Sequence, residues 1–455
     1  MVTPGVIIAA TSSSSGKTTI ATGLMRALSQ RMSVAPFKVG PDYIDPGYHG
    51  LATGYSGRNL DSVLCGSELI GGLYAHGAQD KDISVIEGVM GLFDGQISPD
   101  EHTEIARGST AEIAALLKMP VVLVVNVRGM SQSVGALVKG FATTAAEVQI
   151  AGVILNKVGS PRHAQVCRRA VEAQGIEVLG AIPRVSGIEV PSRHLGLITA
   201  GELDSAQQAV AQMAEFVDKH IDIDRLISFA NVRQDITPWQ PAKVVRRQGE
   251  ARIAVAAGPA FSFTYAEHYE LLAAAGAEIV PFDPIVDDLP DCDGLIIPGG
   301  FPEEHAEALA QRQDLNAQVR AFVAAKKPVH AECAGLLWLL KTLAGQEMVG
   351  VIDGHGELGS RLTLGYRQAV ALADSIAYVS GQRVIGHEFH HTALHNVTEI
   401  NPAWGWHLWD GTATTEGFII DNVHASYLHV HPASVPEAVE RFVRSAVDNQ
   451  TSTPV

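Results

Sequence analysis

The sequence predicts an α/β protein of two domains, each a mostly parallel sheet flanked by helices. Three observations lead there. Apolar strand-like runs alternate with amphipathic helical stretches through most of the chain. Aromatic content is only 6% beside 44 glycines, as many tight turns require. The 455 residues also exceed the roughly 250–300 at which a single core stops growing.

The first strand, "GVIIAA", runs into "TSSSSGKTT" and the helical "TTIATGLMRALSQR", whose basic residues come late. The loop ends as G-x-x-x-x-G-K-[ST] does. In that pattern backbone N–H groups wrap phosphate oxygens, the Lys reaches the outer phosphates and the hydroxyl ligates Mg²⁺. Gly16, Lys17 and Thr18 take those roles, with Ser15 and Thr19 beside them. Thr11 stands at the first glycine position, so the strict pattern is not met. A serine-rich turn is the alternative, but strand, small-residue loop and helix N-terminus form the context of an anion site.

The runs "SVAPFKVG", "DISVIEGVMG", "PVVLVVNVRG" and "AGVILNKVG" continue the sheet. In a parallel sheet the strand C-terminal ends share one rim. Lys38, Asp42 and Asp45 of "FKVGPDYIDPGYH" and Glu87 and Asp94 of "VIEGVMGLFDG" therefore converge beside Lys17 and Thr18. Any one of these acids alone reads as a solvated loop carboxylate; together they supply what Mg²⁺ asks for, a hydroxyl and one or two carboxylates beside phosphate and water. Asn156 of "VILNKVGS" suits either an adenine edge or a turn cap. Lys38, Arg58, Arg107 and Arg193 are candidates for phosphate or carboxylate contact.

These boundaries give a first domain over 1–225, a linker over 226–250 where the rhythm is lost to prolines and charges, a second domain over 251–447, and a flexible tail over 448–455. The balance of 33 basic against 49 acidic residues gives a net charge of −16, which argues against nucleic-acid and anionic-membrane partners. No charged-then-apolar leader and no bilayer-length apolar run is seen. Cys65, Cys167, Cys292 and Cys333 lie far apart without a C-x-x-C pair, as expected of reduced thiols in a cytoplasmic protein.

In the second half, "KPVHAECAGLLWLL" reads as a strand followed at once by a helix, with Cys333 at the junction. The helix dipole there is expected to favour thiolate. A buried structural Cys is the alternative, set aside because "NVHASYLHVHP" places His429 and His431 at another strand end, where a base can activate the thiol. "IIPGGFPEEH" adds Gly299 and Gly300, whose backbone N–H groups suit an oxyanion.

This second half resembles the class I glutamine amidotransferases of triad type. The resemblance implies Cys333 as nucleophile, His429 as base and N–H groups at Gly300 and Ala334 as oxyanion donors, with a γ-glutamyl thioester on the way to ammonia. The family's usual Glu two residues after the His is replaced by His431, leaving the third member of the site open. Joined to a nucleotide site, an ammonia source points to amidation of a carboxylate through an acyl phosphate.

"SSSSGKTT", "FKVGPDYIDPGYH", "GRNLDSVL", "EGVMGLFDG", "AECAG", "GHEFHHT" and "SYLHVH", spread over nearly the whole chain, resemble the cobyrinic and hydrogenobyrinic acid a,c-diamide synthases. The N-terminal domain of that family is similar to dethiobiotin synthase, whose phosphate loop also departs from the strict glycine pattern. The resemblance implies a corrinoid substrate, ATP and glutamine as cosubstrates and Mg²⁺ as cofactor. It assigns phosphate and Mg²⁺ binding to Lys17 and Thr18, metal ligation to Asp45 and Glu87, support of the metal or activated carboxylate to Asp42 and Asp94, and acyl-phosphate stabilisation to Lys38. Tyr43 and Ile44 are expected to influence which carboxylate enters. "RLTLGYR" and "GHEFHH" are expected to wall the corrinoid site or the domain interface, although His387, His390 and His391 also read as a structural polar loop. A homodimer is compatible with this reading. The rivals are cobyric acid synthase, nickel-sirohydrochlorin a,c-diamide synthase and, from another class, a P-loop switch or metallochaperone with an inert amidotransferase-like appendage.

Overall fold

The computed structural model describes residues 2–97, 103–184, 200–230, 235–397 and 401–452. Arg193 lies outside them. The chain forms two compact units that meet in sequence between Trp239 and Gln240.

The strands of the first unit are β1 (Gly5–Ala10), β2 (Val34–Val39), β3 (Arg58–Leu60), β4 (Ile83–Glu87), β5 (Val121–Asn126), β6 (Ile150–Val158) and β7 (Glu177–Pro183). They form a seven-stranded sheet in the order β3-β2-β4-β1-β5-β6-β7, with every neighbour parallel. Strands covered on both faces read as continuous apolar runs, and all six residues of β1 are buried. Between and after the strands come α1 (Lys17–Ser29), α2 (Ile44–Thr53), α3 (Ser62–Cys65), α4 (Ser67–Gly77), α5 (Thr110–Leu117), α6 (Ser133–Thr143), α7 (Pro161–Glu172), α8 (Ala200–His220) and α9 (Ile223–Phe229). Helices α1 and α8 touch backbone to backbone at Gly23, where a Cβ would lie 2.6 Å from the Met213 carbonyl oxygen.

The stretch 226–250, expected to be a linker, is in part built into the first unit. It starts inside α9, and Trp239 is buried with its N–H donating to the Gly72 carbonyl of α4.

The second unit begins with α10 (Pro241–Val244), β8 (Ala251–Ala256), α11 (Ala266–Ala275), β9 (Ala277–Phe282), β10 (Gly294–Ile297), α12 (Ala306–Gln311), α13 (Gln313–Ala324), β11 (Val329–Glu332) and α14 (Ala334–Leu339). Next come β12 (Leu340–Leu343), β13 (Gln346–Glu347), β14 (Ile352–Ala371), β15 (Arg383–His395), β16 (Trp404–His407) and β17 (Ala413–Glu416). The chain closes with β18 (Phe418–Ile420), β19 (Val423–Ser426), β20 (His429–Val430) and α15 (Pro436–Ser452). One sheet runs β18-β19-β11-β10-β8-β9, parallel except at β18. Every residue of α14 is buried beneath it, which explains the unbroken apolar run "AGLLWL".

Two features depart from expectation. A second, largely antiparallel sheet holds the motifs "RLTLGYR" and "GHEFHH" on β14 and β15, where Tyr366 faces His387 and Gly365 faces Glu388. The histidines read as a polar loop are therefore strand residues, with His387 buried on β15. The tail expected to be flexible from 448 is helical to Ser452, and Gln450 donates to the Glu250 carbonyl (3.2 Å) and to Asp293 Oδ2 (2.7 Å).

Candidate active sites

The phosphate-loop centre sits at the C-terminal rim of the first unit's sheet. Its loop turns through Ser14 (φ 59°) and Gly16 (φ 87°), left-handed values that Gly16 adopts without strain. A Cβ at Gly16 would also lie 2.4 Å from Asn156 Nδ2. Asn156 donates to the Ser15 carbonyl (2.8 Å) and accepts from the Lys157 N–H (2.8 Å). Its amide thus holds the loop. Lys157 Nζ donates to the Ser14 carbonyl (3.2 Å), and Ser15 Oγ to that of Ser12 (2.8 Å).

Register explains the charged cluster. Parallel pairing sets Lys38 beside Glu87, and Ile8 beside Glu87, so side chains at the C-terminal ends of β2 and β4 meet near the loop that follows β1. Thr18 Oγ1 donates to Glu87 Oε1 (2.6 Å) and Asp45 Oδ2 (3.3 Å). Lys38 Nζ donates to Asp45 and to Glu87 Oε1 (3.1 Å), and lies 3.9 Å from Asp42 Oδ2. Lys17 Nζ is 4.0 Å from Glu87 Oε1. His49 Nε2, a residue the sequence reading left unused, is 2.8 Å from Glu87 Oε2, with both side chains fully buried. Its position four residues after Asp45 on α2 puts the two on one helix face.

Burial opposes the Lys38 charge, but Asp45, Glu87 and Asp42 outweigh it and raise its pKa. Burial would likewise raise Glu87, yet Lys38, His49 and Lys17 hold it below the usual carboxylate range. Asp45 goes the other way, pushed up to about 6 by burial and the Glu87 charge. Burial and the Lys38 charge lower Lys17.

Of the other expected residues, Asp42 accepts from the Ile44 and Asp45 N–H groups (2.8 and 3.0 Å), which starts α2 and aims Asp45. Asp94 stands outside the hydrogen-bonded cluster. It is exposed, and its Oδ2 accepts from the Gly91 N–H (2.9 Å), closing its own turn. Thr19 follows Thr18 on α1, while Tyr43 and Ile44 stand at the entry to α2. Arg58 begins β3, and the Arg107 carbonyl accepts from the Gln96 N–H.

Among the described residues no group of three or more His, Cys, Asp or Glu side chains is arranged as a metal cage. The donor set of Thr18, Asp45 and Glu87 nevertheless fits Mg²⁺, which binds through one or two carboxylates and completes its shell with phosphate and water. Lys38, a cation held among the same oxygens, marks the spot as one that favours positive charge.

The thiol centre lies in the second unit. Cys333 joins β11 to α14 at φ 48° and ψ −97°, a strained backbone for a side-chain-bearing residue that is held by its N–H donating to the Ser426 carbonyl (2.7 Å). The parallel pairing of Glu332 with Ser426 brings β19, and hence His429 just beyond it, to the same sheet end. Cys333 and His429 are both buried. His429 Nδ1 is 3.6 Å from Glu332 Oε2, so the acid facing this histidine precedes the cysteine in the chain. Glu332 was missed because the family pattern puts an acid two residues after the histidine. His431, which stands there, faces the buried Glu267 at 3.9 Å.

Gly299 underlies the histidine, since a Cβ there would lie 2.5 Å from His429 Cε1. Gly300 packs on the Ala260 carbonyl oxygen, 2.1 Å from where its Cβ would be. The Ala334 N–H donates to the Cys333 sulfur. Contrary to the thiolate expectation, burial, with the charges of Glu303, Glu332 and Glu416 added, pushes the Cys333 thiol well up. Helix α14 has only six residues, too short a dipole to offset that. Glu416 is itself raised to about 7 by burial while it accepts from Ser426 Oγ (2.6 Å) and the Tyr427 N–H (2.7 Å). His390 stacks on Tyr427 with ring centres 3.7 Å apart.

Both halves match known family models: the CobQ/CobB/MinD/ParA nucleotide binding domain over residues 6–198 and the CobB/CobQ-like glutamine amidotransferase domain over residues 252–436. The chain is 52% identical over 449 residues to hydrogenobyrinate a,c-diamide synthase of Mycobacterium bovis, covering 98% of each chain. It is 47% identical over 477 residues to the enzyme of the same name from Streptomyces coelicolor, covering 97% of each. Identity to cobyrinate a,c-diamide synthase of Picrophilus torridus is 40% over 452 residues, covering 97% of this chain and 98% of that one. With 40–52% identity to these enzymes over 97–98% of both chains, the chain belongs to the family of hydrogenobyrinate and cobyrinate a,c-diamide synthases.

Proposed function

We propose that the chain uses ATP and glutamine to amidate the a- and c-carboxylates of hydrogenobyrinic acid. The relatives named for that metal-free ring are more similar to this chain than the one named for cobyrinate. The observation that carries the reading is the presence, on one chain, of a half-buried Thr18–Lys38–Asp45–Glu87 cluster at a phosphate loop and of Cys333 on a strained strand-to-helix junction at the sheet end that His429 also reaches, its Nδ1 3.6 Å from Glu332 Oε2.

At the thiol centre, Cys333 gives its proton to His429 and attacks the side-chain amide carbonyl of glutamine. The nitrogen leaves as ammonia, taking that proton, and water cleaves the thioester to glutamate. Glu332, 3.6 Å from Nδ1, stabilises the charged form of the ring, and Nε2 is left to face the thiol. At the phosphate centre a ring carboxylate takes the γ-phosphoryl group of ATP, releasing ADP. Ammonia then displaces phosphate to leave the amide. Lys17 and Lys38 neutralise charge on the transferred group, and Asp42 holds the start of α2 so that Asp45 stays in place. Thr18, Asp45 and Glu87 would hold Mg²⁺, which supplies charge neutralisation of the phosphates when bound.

Incubation with glutamine, ATP, Mg²⁺ and either metal-free or cobalt-bearing ring, read by mass spectrometry, tests this. Two added amides per metal-free ring are expected; no amide on either ring overturns the assignment, and amides on the cobalt ring alone overturn its substrate. Glu332→Gln keeps the size of the side chain and removes its charge. It is expected to lower glutamine-driven amidation about 10²–10⁴-fold, with the ammonia-driven rate unchanged. Equal loss with both nitrogen sources would reassign Glu332 to the fold.

A further inference from the structure

Three carboxylates lie near enough to Cys333 for their charge to act on its thiol: Glu303, Glu332 and Glu416. Two have partners, Glu332 facing His429 and Glu416 accepting from Ser426 and Tyr427. Glu303 is different. Its Oε2 is buried and accepts no hydrogen bond among the described residues. It stands three residues after Gly300, in the segment between β10 and α12 that the oxyanion reading already places at the thiol. A buried carboxylate oxygen left without a donor is unfavourable, so its retention beside a nucleophile calls for a cationic ligand group.

Glutamine carries one cation, the α-ammonium, several bonds from the amide that Cys333 attacks. We propose that Glu303 is the positioning residue that receives the α-ammonium of glutamine, which fixes the amide carbonyl against the Cys333 sulfur. The assignment rests on the reading of Cys333 as the glutamine-cleaving nucleophile. It explains why a carboxylate oxygen without a protein donor is kept here: substrate completes the hydrogen bonding of Oε2, and without substrate that oxygen carries a desolvation cost. It also makes glutamine selection depend on the amino group, because an analogue lacking it leaves Glu303 Oε2 without a donor.

Glu303 is pushed up to about 7, by burial first and then by the Glu304 charge, against the pull of its own N–H and of His390. Its surroundings also include Cys333 and Tyr427. The protonated acid attracts an ammonium weakly, so glutamine binding is expected to weaken as pH falls through about 7 and to hold firm above it.

The test is calorimetric binding to the full chain carrying Cys333→Ser, which binds without turnover and needs no corrinoid. L-Glutamine is compared with glutaramate, the same molecule without its α-amino group, in Cys333→Ser alone and with Glu303→Gln added. With Glu303 intact, glutaramate is expected to bind at least about 100-fold more weakly. With Glu303→Gln the two ligands should come within about tenfold, through loss of glutamine affinity, and the pH dependence should flatten. Unchanged discrimination or an unchanged pH profile in the double variant overturns the proposal. The single variant Glu303→Gln in ammonia-driven amidation separates positioning from folding. An unaltered rate is expected, and a lost rate, repeated in Glu303→Asp, assigns Glu303 to the fold and overturns it. Absence of amide product on every ring, with the calorimetric contrast intact, would count against the function proposed above and leave this inference standing.

Discussion

Replacing Cys333 with Ser is expected to abolish glutamine-driven amidation while sparing the reaction fed by ammonium salt. The oxygen nucleophile fits the same buried volume, so the fold and the oxyanion donors stay, and what is lost is the soft, ionisable sulfur. Removing a nucleophile whose partners act as a unit costs on the order of 10³-fold or more. The ammonia-driven rate should stay within about threefold, because none of Thr18, Lys38, Asp45 or Glu87 touches the changed atom. Counting amides by mass spectrometry with each nitrogen source decides the matter. Persistent glutamine use would strip Cys333 of its role, and equal loss with both sources would show that the second unit serves more than ammonia release.

The second large effect is expected at Lys38. Its ammonium holds Asp45 and Glu87 together at the bottom of the phosphate centre, and the residue is only 3% exposed. Lys38→Met keeps most of the volume and removes the charge, taking from Asp45 and the buried Glu87 the cation they share. Breaking one side of a buried ion pair destabilises by about 3–5 kcal/mol, to be read as a fall in the urea midpoint of the first unit. Amidation should fall by about 10³-fold or more with glutamine and ammonia alike, since charge stabilisation of the transferred phosphoryl group is lost in either case. A variant that melts as the parent does and still adds amides would show that Lys38 is dispensable.

Much of this was legible in the sequence because a parallel sheet imposes a rule. Strand ends share a rim, so Lys38 and Glu87, far apart in the chain, were placed beside Thr18 before any register was known. The rule says nothing about where a side chain turns after it leaves the strand. Asp94 was expected among these acids, yet it bonds the N–H of Gly91 and stays outside the cluster. His49 shares a helix face with Asp45, but its spacing alone does not show that it packs on Glu87 of β4. At the thiol centre the family pattern puts the third member two residues beyond His429, where His431 stands. Glu332 lay in plain view next to Cys333, but only the pairing of β11 with β19 brings it to the histidine. The antiparallel sheet was missed because β14 and β15 are rich in Gly, His and Arg and lack a continuous apolar run. Their mutual pairing, and not their composition, makes them strands.

The resting state of the Cys333 sulfur bears on how this protein endures its surroundings. Peroxides and alkylating electrophiles consume thiolates, and they act on accessible ones first. A sulfur that burial holds toward the thiol form and that lies 3% exposed offers such agents little. Enclosure among acidic side chains thereby shields Cys333 from attack that an exposed, ionised thiol would invite.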